Sequence, residues 1–134
     1  MKPEAAAYLA AADKALNQAH GNLSMNFADQ AARLAYFAMF HAAQALIFER
    51  TGKVAKTHKG GGRLFHQLAR AESGFITGLP VELTSAYRYK ELADYETGSI
   101  ITRQDAVDTI GKAEHFVAQL QHALSPPPTA TQPC

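Results

Sequence analysis

At 134 residues, 47% of them hydrophobic, and with a formal net charge of +1, the chain has the size and composition of one globular domain. So small a net charge provides no global attraction to nucleic acid or to a membrane surface. The single cysteine, Cys134, excludes a disulfide framework and a cysteine-based metal site.

The first residues lack the basic-then-apolar pattern of a secretory leader, so the expected location is the cytoplasm. Pro3 and Glu4 suit the first turn of a helix, where a missing N–H and a negative charge are both tolerated. Tyr8, Leu9, Ala12, Leu16 and Ala19 follow at helical spacing, until Gly21-Asn22 or the residues just after end the run. Asn26 with Asp29 resembles a capping box that opens a second helix. That helix contains Ala31 to Arg50, AARLAYFAMFHAAQALIFER, which is apolar on nearly every face. Such an element belongs in the middle of a bundle. A membrane span is disfavoured because Arg33, His41 and Gln44 interrupt it and no run reaches ~20 apolar residues. Arg33, Phe37, His41, Gln44 and Phe48 share one stripe at steps of three and four, so buried polar groups on it need partners. His41 is either a hydrogen-bonded core histidine or part of a site. Thr51-Gly52 ends the helix.

From Arg50 to Arg70 the chain carries six Lys or Arg residues and two histidines without one acid. Arg50, Lys53, Lys56, His58, Lys59 and Arg63 form either a local phosphate- or RNA-facing patch or a solvated loop and helix rim. Gly60-Gly61-Gly62 lies within it. No GK[ST] follows, so this is no Walker motif, and the glycines read as a flexible lead-in to a short helix with Leu64, Phe65, Leu68 and Ala69 inward. Residues 74–80 read as a connector. Leu83, Ala86, Tyr87 and Leu92 mark the next helix, from Pro80 to Gly98. Thr102 with Asp105 is a second capping-box pair, with Ile101 as the apolar residue before it. Ile110, Ala113, Val117, Leu120 and Leu124 mark the last helix. The expected fold is an all-α bundle of four to five helices spanning residues 1–124 as one domain. Residues 125–134, SPPPTATQPC, read as a disordered Pro-rich tail.

The helix after the connector carries RYKELADYE, Arg88 to Glu96. Arg88 and Tyr95, seven residues apart, stack on one face, and Tyr87 and Asp94 on the adjoining one. An arginine on such a helix is either paired with Asp94, Glu91 or another acid, or available to a phosphate. The scattered histidines offer no i,i+4 pair with an acid between them, so no metal and no cofactor are expected. His20, His66, His115 and His122 read as surface positions.

The segments AYFAMFHAAQAL, THKG (Thr57 to Gly60) and RYKELADYE, in this order and spacing, resemble the HEPN domain, in particular its small stand-alone prokaryotic proteins. The resemblance covers roughly Ala5 to Leu124. It implies an up-and-down helical bundle that forms a homodimer and binds RNA or a nucleotide. Many members are metal-independent ribonucleases, often toxins encoded beside a minimal nucleotidyltransferase. The family's ribonuclease motif is an Arg, four to six residues, then a His, often followed by one residue and a Tyr. Arg88 matches its arginine and Tyr95 its tyrosine, which in the family can accept nucleotidyl groups. Ala93 stands in the histidine position and can act neither as acid nor as base. The resemblance therefore implies Arg88, Asp94, Tyr95 and His41 as catalytic candidates, with His58 as another imidazole source. It also leaves open an inactive interaction module or an antitoxin-like partner.

Overall fold

A computed structural model describes residues 1–72, 78–95 and 100–125. They form five helices: α1 (Pro3–Ser24), α2 (Ala28–Thr51), α3 (His58–Ala71), α4 (Leu79–Tyr95) and α5 (Arg103–Leu124). The fold is an all-α bundle, as expected. The anticipated tail beyond residue 125, the connector residues 74–77 and the helix stop at Gly98 lie outside the described residues.

Helix α2 touches each of the other four, most extensively α1. Alanines make that approach possible. Ala5, Ala12, Ala15 and Ala19 of α1 and Ala31, Ala32, Ala35, Ala38, Ala42, Ala43 and Ala45 of α2 are all buried. Tyr36, Met39, Leu46 and Ile47 fill the remaining space with Phe65 of α3, whose ring centroid lies 5.3 Å from that of Phe116 in α5. By length and composition α2 could cross a membrane, but 72% of its most apolar window is buried against protein. Core helices pass the same test.

The caps show where local rules held. Gly52 closes α2 in the left-handed conformation at φ 75°, its N–H donating to Phe48 O at 2.8 Å. Thr102 and Asp105 form the reciprocal capping box that opens α5, with Ile101 buried beside it. Asn26 does something else. Phe27, not Asn26, caps α2, and it contributes no side-chain bond. Asn26 sits at φ 65°, a left-handed position that asparagine tolerates, and its Oδ1 accepts from Arg103 Nη1 at 3.0 Å. Its amide thus ties the α1–α2 turn to the start of α5 instead of capping a helix.

The three glycines also differ from expectation. They lie inside the first turns of α3, where Thr57 is the N-cap and accepts from Gly60 N at 2.9 Å. Gly61 is required by packing. A Cβ there would stand 2.7 Å from Phe40 Cε1 and 3.3 Å from the Ala55 Cβ.

Candidate functional site

The polar stripe of α2 positions the site. Gln44 is buried, and its amide grips one backbone residue of the connection before α3. Gln44 Nε2 donates to Ala55 O and Ala55 N donates to Gln44 Oε1, each at 3.1 Å. Both polar ends of a buried amide are thereby satisfied. The grip holds the chain three residues ahead of His58, and the Thr57 cap then starts α3 with His58 as its first residue.

His58 is half-buried among aromatic rings. Its centroid lies 4.6 Å from Phe40, 5.5 Å from Phe37 and 5.7 Å from Tyr87. The Tyr36 hydroxyl and His58 Nδ1 are hydrogen-bonded at 2.7 Å. Burial, with Tyr87 and Glu91 nearby, raises the Tyr36 pKa, so the phenol keeps its proton. Burial, reinforced by Lys90 and Arg33 against Glu91 and Asp94, lowers that of His58. A buried hydroxyl hydrogen needs an acceptor, and Nδ1 is the one in reach. Tyr36 therefore donates to Nδ1, which leaves the proton of the neutral imidazole on Nε2.

Helix α4 faces this group with Tyr87, Lys90, Glu91 and Asp94. Tyr87 donates its hydroxyl to Glu91 at 3.1 Å. Asp94 accepts from Arg33 Nε at 2.7 Å and pairs with Lys90 Nζ at 3.1 Å. Arg33 also lies over the Phe37 ring at 4.8 Å. Burial alone would raise the Asp94 pKa, but hydrogen bonds from Lys90 and Arg33 outweigh it and hold the carboxyl below its ordinary range.

Between α3 and α4 a cavity of about 260 Å³ opens beside His58. Tyr36, Gly62, Leu83, Thr84 and Tyr87 form its other walls, and Lys59 and Arg63, one turn apart on α3, flank it. Neither Lys59 nor Arg63 has a carboxylate partner among the described residues. No acid lines the cavity.

The HEPN domain family profile matches residues 5–123. The chain belongs to the HEPN family. A curated relative, a UPF0332 protein of Archaeoglobus fulgidus, is 29% identical over 114 residues, which are 85% of this chain and 90% of the relative.

The residues singled out from sequence fall in different places on this HEPN bundle. Arg88 is exposed on α4, one turn beyond Thr84, and makes no hydrogen bond or ion pair among the described residues. Tyr95 is 71% exposed, with Lys90 Nζ 5.3 Å from its ring centroid. Ala93, at the motif histidine's position, is half-buried. Asp94 projects roughly 120° away from Arg88 around the helix and is occupied by Arg33 and Lys90. His41 lies in a separate groove between α1 and α2, lined by Lys14, Gln18, Arg33 and Phe37, where burial lowers its pKa. Of the basic run, Arg50 is tied to Glu72 at 3.0 Å through its Nε. Lys53 and Lys56 are exposed on the connection, and only Lys59 and Arg63 border the cavity beside His58. His20, His66, His115 and His122 are exposed, and His20 meets Glu114 at 2.9 Å. Tyr36 and Lys90 were not legible as site residues. Tyr36 lies within the apolar run of α2, and Lys90, inside RYKELADYE, is assigned no role from sequence, although it is buried against Asp94.

Proposed function

We propose that this HEPN protein binds RNA or a nucleotide through its phosphates at the α3–α4 face, and acts as a binder before it acts as a nuclease. One observation carries this reading. Lys59 and Arg63 at the cavity and Arg88 on α4 are three exposed cations without a carboxylate partner among the described residues. Metal-free RNA cleavage needs a base for the 2′-hydroxyl, an acid for the leaving oxygen and cationic support for the phosphate. Ala93 supplies none of these, Asp94 is held by two cations, and His41 faces another groove. His58 is the one imidazole beside the cavity, so a ribonuclease reading rests on it.

We further propose that the protein works as a homodimer paired with a minimal nucleotidyltransferase, in the manner of HEPN toxin–antitoxin systems, in the cytoplasm. Tyr95 is exposed enough to accept a nucleotidyl group. The bulk and negative charge added two turns from Arg88 on the same helix face would then oppose phosphate binding.

Fluorescence anisotropy with a labelled RNA oligonucleotide tests the binding reading. Affinity should fall steeply with salt, and changing Lys59, Arg63 and Arg88 together to Ala should abolish it without lowering the melting temperature, because exposed cations contribute little to stability. Absence of binding at low salt by the unmutated protein would overturn the proposal and leave an interaction module in its place.

A further inference from the structure

Resting on the phosphate-binding reading above, we infer that the α3–α4 cavity receives one unpaired nucleobase of a single strand. His58 Nε2–H donates to an acceptor on the base edge, Tyr87 packs against the base, and Lys59 and Arg63 hold the adjoining phosphate.

Size comes first. At about 260 Å³ the cavity falls just below the ~300–1,000 Å³ of pockets that take drug-sized ligands, so it admits one ring system and not a dinucleotide. Polarity comes second. The Tyr36 bond leaves the His58 proton on Nε2, and that nitrogen makes no hydrogen bond among the described residues. It is not sealed off either, since Glu82 Oε2 is the one buried side-chain polar atom without a partner among the described residues. Nε2–H is therefore an oriented donor with access to solvent, on a residue that lines the cavity. Such a donor is complementary to a ring nitrogen or carbonyl on a base, and a bare phosphate has no need of a fixed tautomer.

The walls complete the match. Tyr87 is anchored by its hydroxyl bond to Glu91, so its ring is held in place as a stacking surface. Phe37 and Phe40 fix the imidazole from within. Lys59 and Arg63 lie one turn apart on the same face of α3, the spacing that lets two cations flank one phosphate. The lining itself contains no acid, and its two charged side chains are both cations. In a duplex the base edge and face are hidden, so the inference predicts a preference for single strands.

The experiment compares three ligands on the unmutated protein by anisotropy: a single-stranded RNA oligonucleotide, the same strand in a duplex, and a strand of equal length built from abasic residues. The base-bearing single strand should bind about tenfold tighter than the other two. Thr84→Phe, on the exposed side of α4, should fill the cavity and erase that preference while retaining abasic binding. His58→Ala should also erase the preference, by removing the donor and not by filling the space, with a thermal melt confirming its fold. Equal affinity for all three ligands would overturn the base pocket and leave the phosphate reading standing. Binding to none of them would overturn both.

Discussion

The Tyr36 hydroxyl lies 2.7 Å from His58 Nδ1, and this one bond joins the centre of the bundle to the imidazole that borders the α3–α4 cavity. Tyr36 is 1% exposed on α2, whereas His58 is half-buried and borders the cavity. The fold therefore sets the tautomer of the site.

Tyr36→Phe should preserve packing but leave Nδ1 without its donor. The expected loss is about 1–3 kcal/mol, the penalty of an unpaired polar group in a partly buried setting. Nitrogen chemical shifts of the imidazole should also report a mixed tautomer, because nothing then prefers Nε2–H. An unchanged tautomer in the variant would show that Tyr36 does not set it.

Gly61→Ala should be destabilising by about 1–3 kcal/mol, because the new methyl meets the Phe40 ring at 2.7 Å and a backbone-borne Ala55 Cβ at 3.3 Å. Gly111→Ala in α5 is the contrast. Nothing stands within 4 Å there, so the helix should gain about 0.5–1 kcal/mol from the lost flexibility of glycine. Chemical denaturation of both variants checks the pair, and equal signs would refute the packing role given to Gly61.

Gln44→Leu removes both bonds to Ala55 and strands two backbone groups. A loss of roughly 2–4 kcal/mol is expected. Hydrogen exchange localises it: the Ala55 amide should lose protection while amides of α5 follow only the global change. If Ala55 exchanges rapidly in the unmutated protein, the clamp is not holding the connection.

These residues show what was legible beforehand. The apolar run of α2, the Gly52 stop and the Thr102–Asp105 box are local patterns with local causes, and each appears in the structure. Arg33, Phe37, His41 and Gln44 were recognised as a stripe needing partners, but the partners were not readable. Gln44 meets a backbone carbonyl and amide eleven residues on, and Arg33 meets Asp94 sixty-one residues on. Long-range pairing leaves no trace in spacing. The Asn26–Asp29 pattern failed because a left-handed turn, held by Arg103 from α5, outcompeted a cap. Arg88 and Asp94 were readable as a possible ion pair. The fold gives Asp94 to Arg33 and Lys90 instead, which is why Arg88 remains exposed.

The last prediction is a stability profile with two separate acid limbs. His58 and His41 have lowered pKa values in the folded state, both through burial first, so the unfolded chain binds their protons more readily. Above the ordinary histidine value of about 6.5 neither contributes, and as pH falls below it stability declines until the folded-state values are passed. Asp94 acts lower. Its pKa is also depressed in the fold, so its contribution is fully present above the ordinary carboxylate value of about 4 and is lost as pH falls through the folded value. Asp105, depressed by its bonds to Thr102, has the same sign. Denaturant midpoints measured across both windows should therefore fall in two stages. Asp94→Asn should flatten the lower stage and leave the upper one, whereas His41→Gln should reduce the upper one alone. The Asp94→Asn variant will also be less stable at neutral pH, since Arg33 and Lys90 lose their shared carboxylate. A full lower limb in that variant would mean that Asp94 is not the carboxylate the bundle depends on.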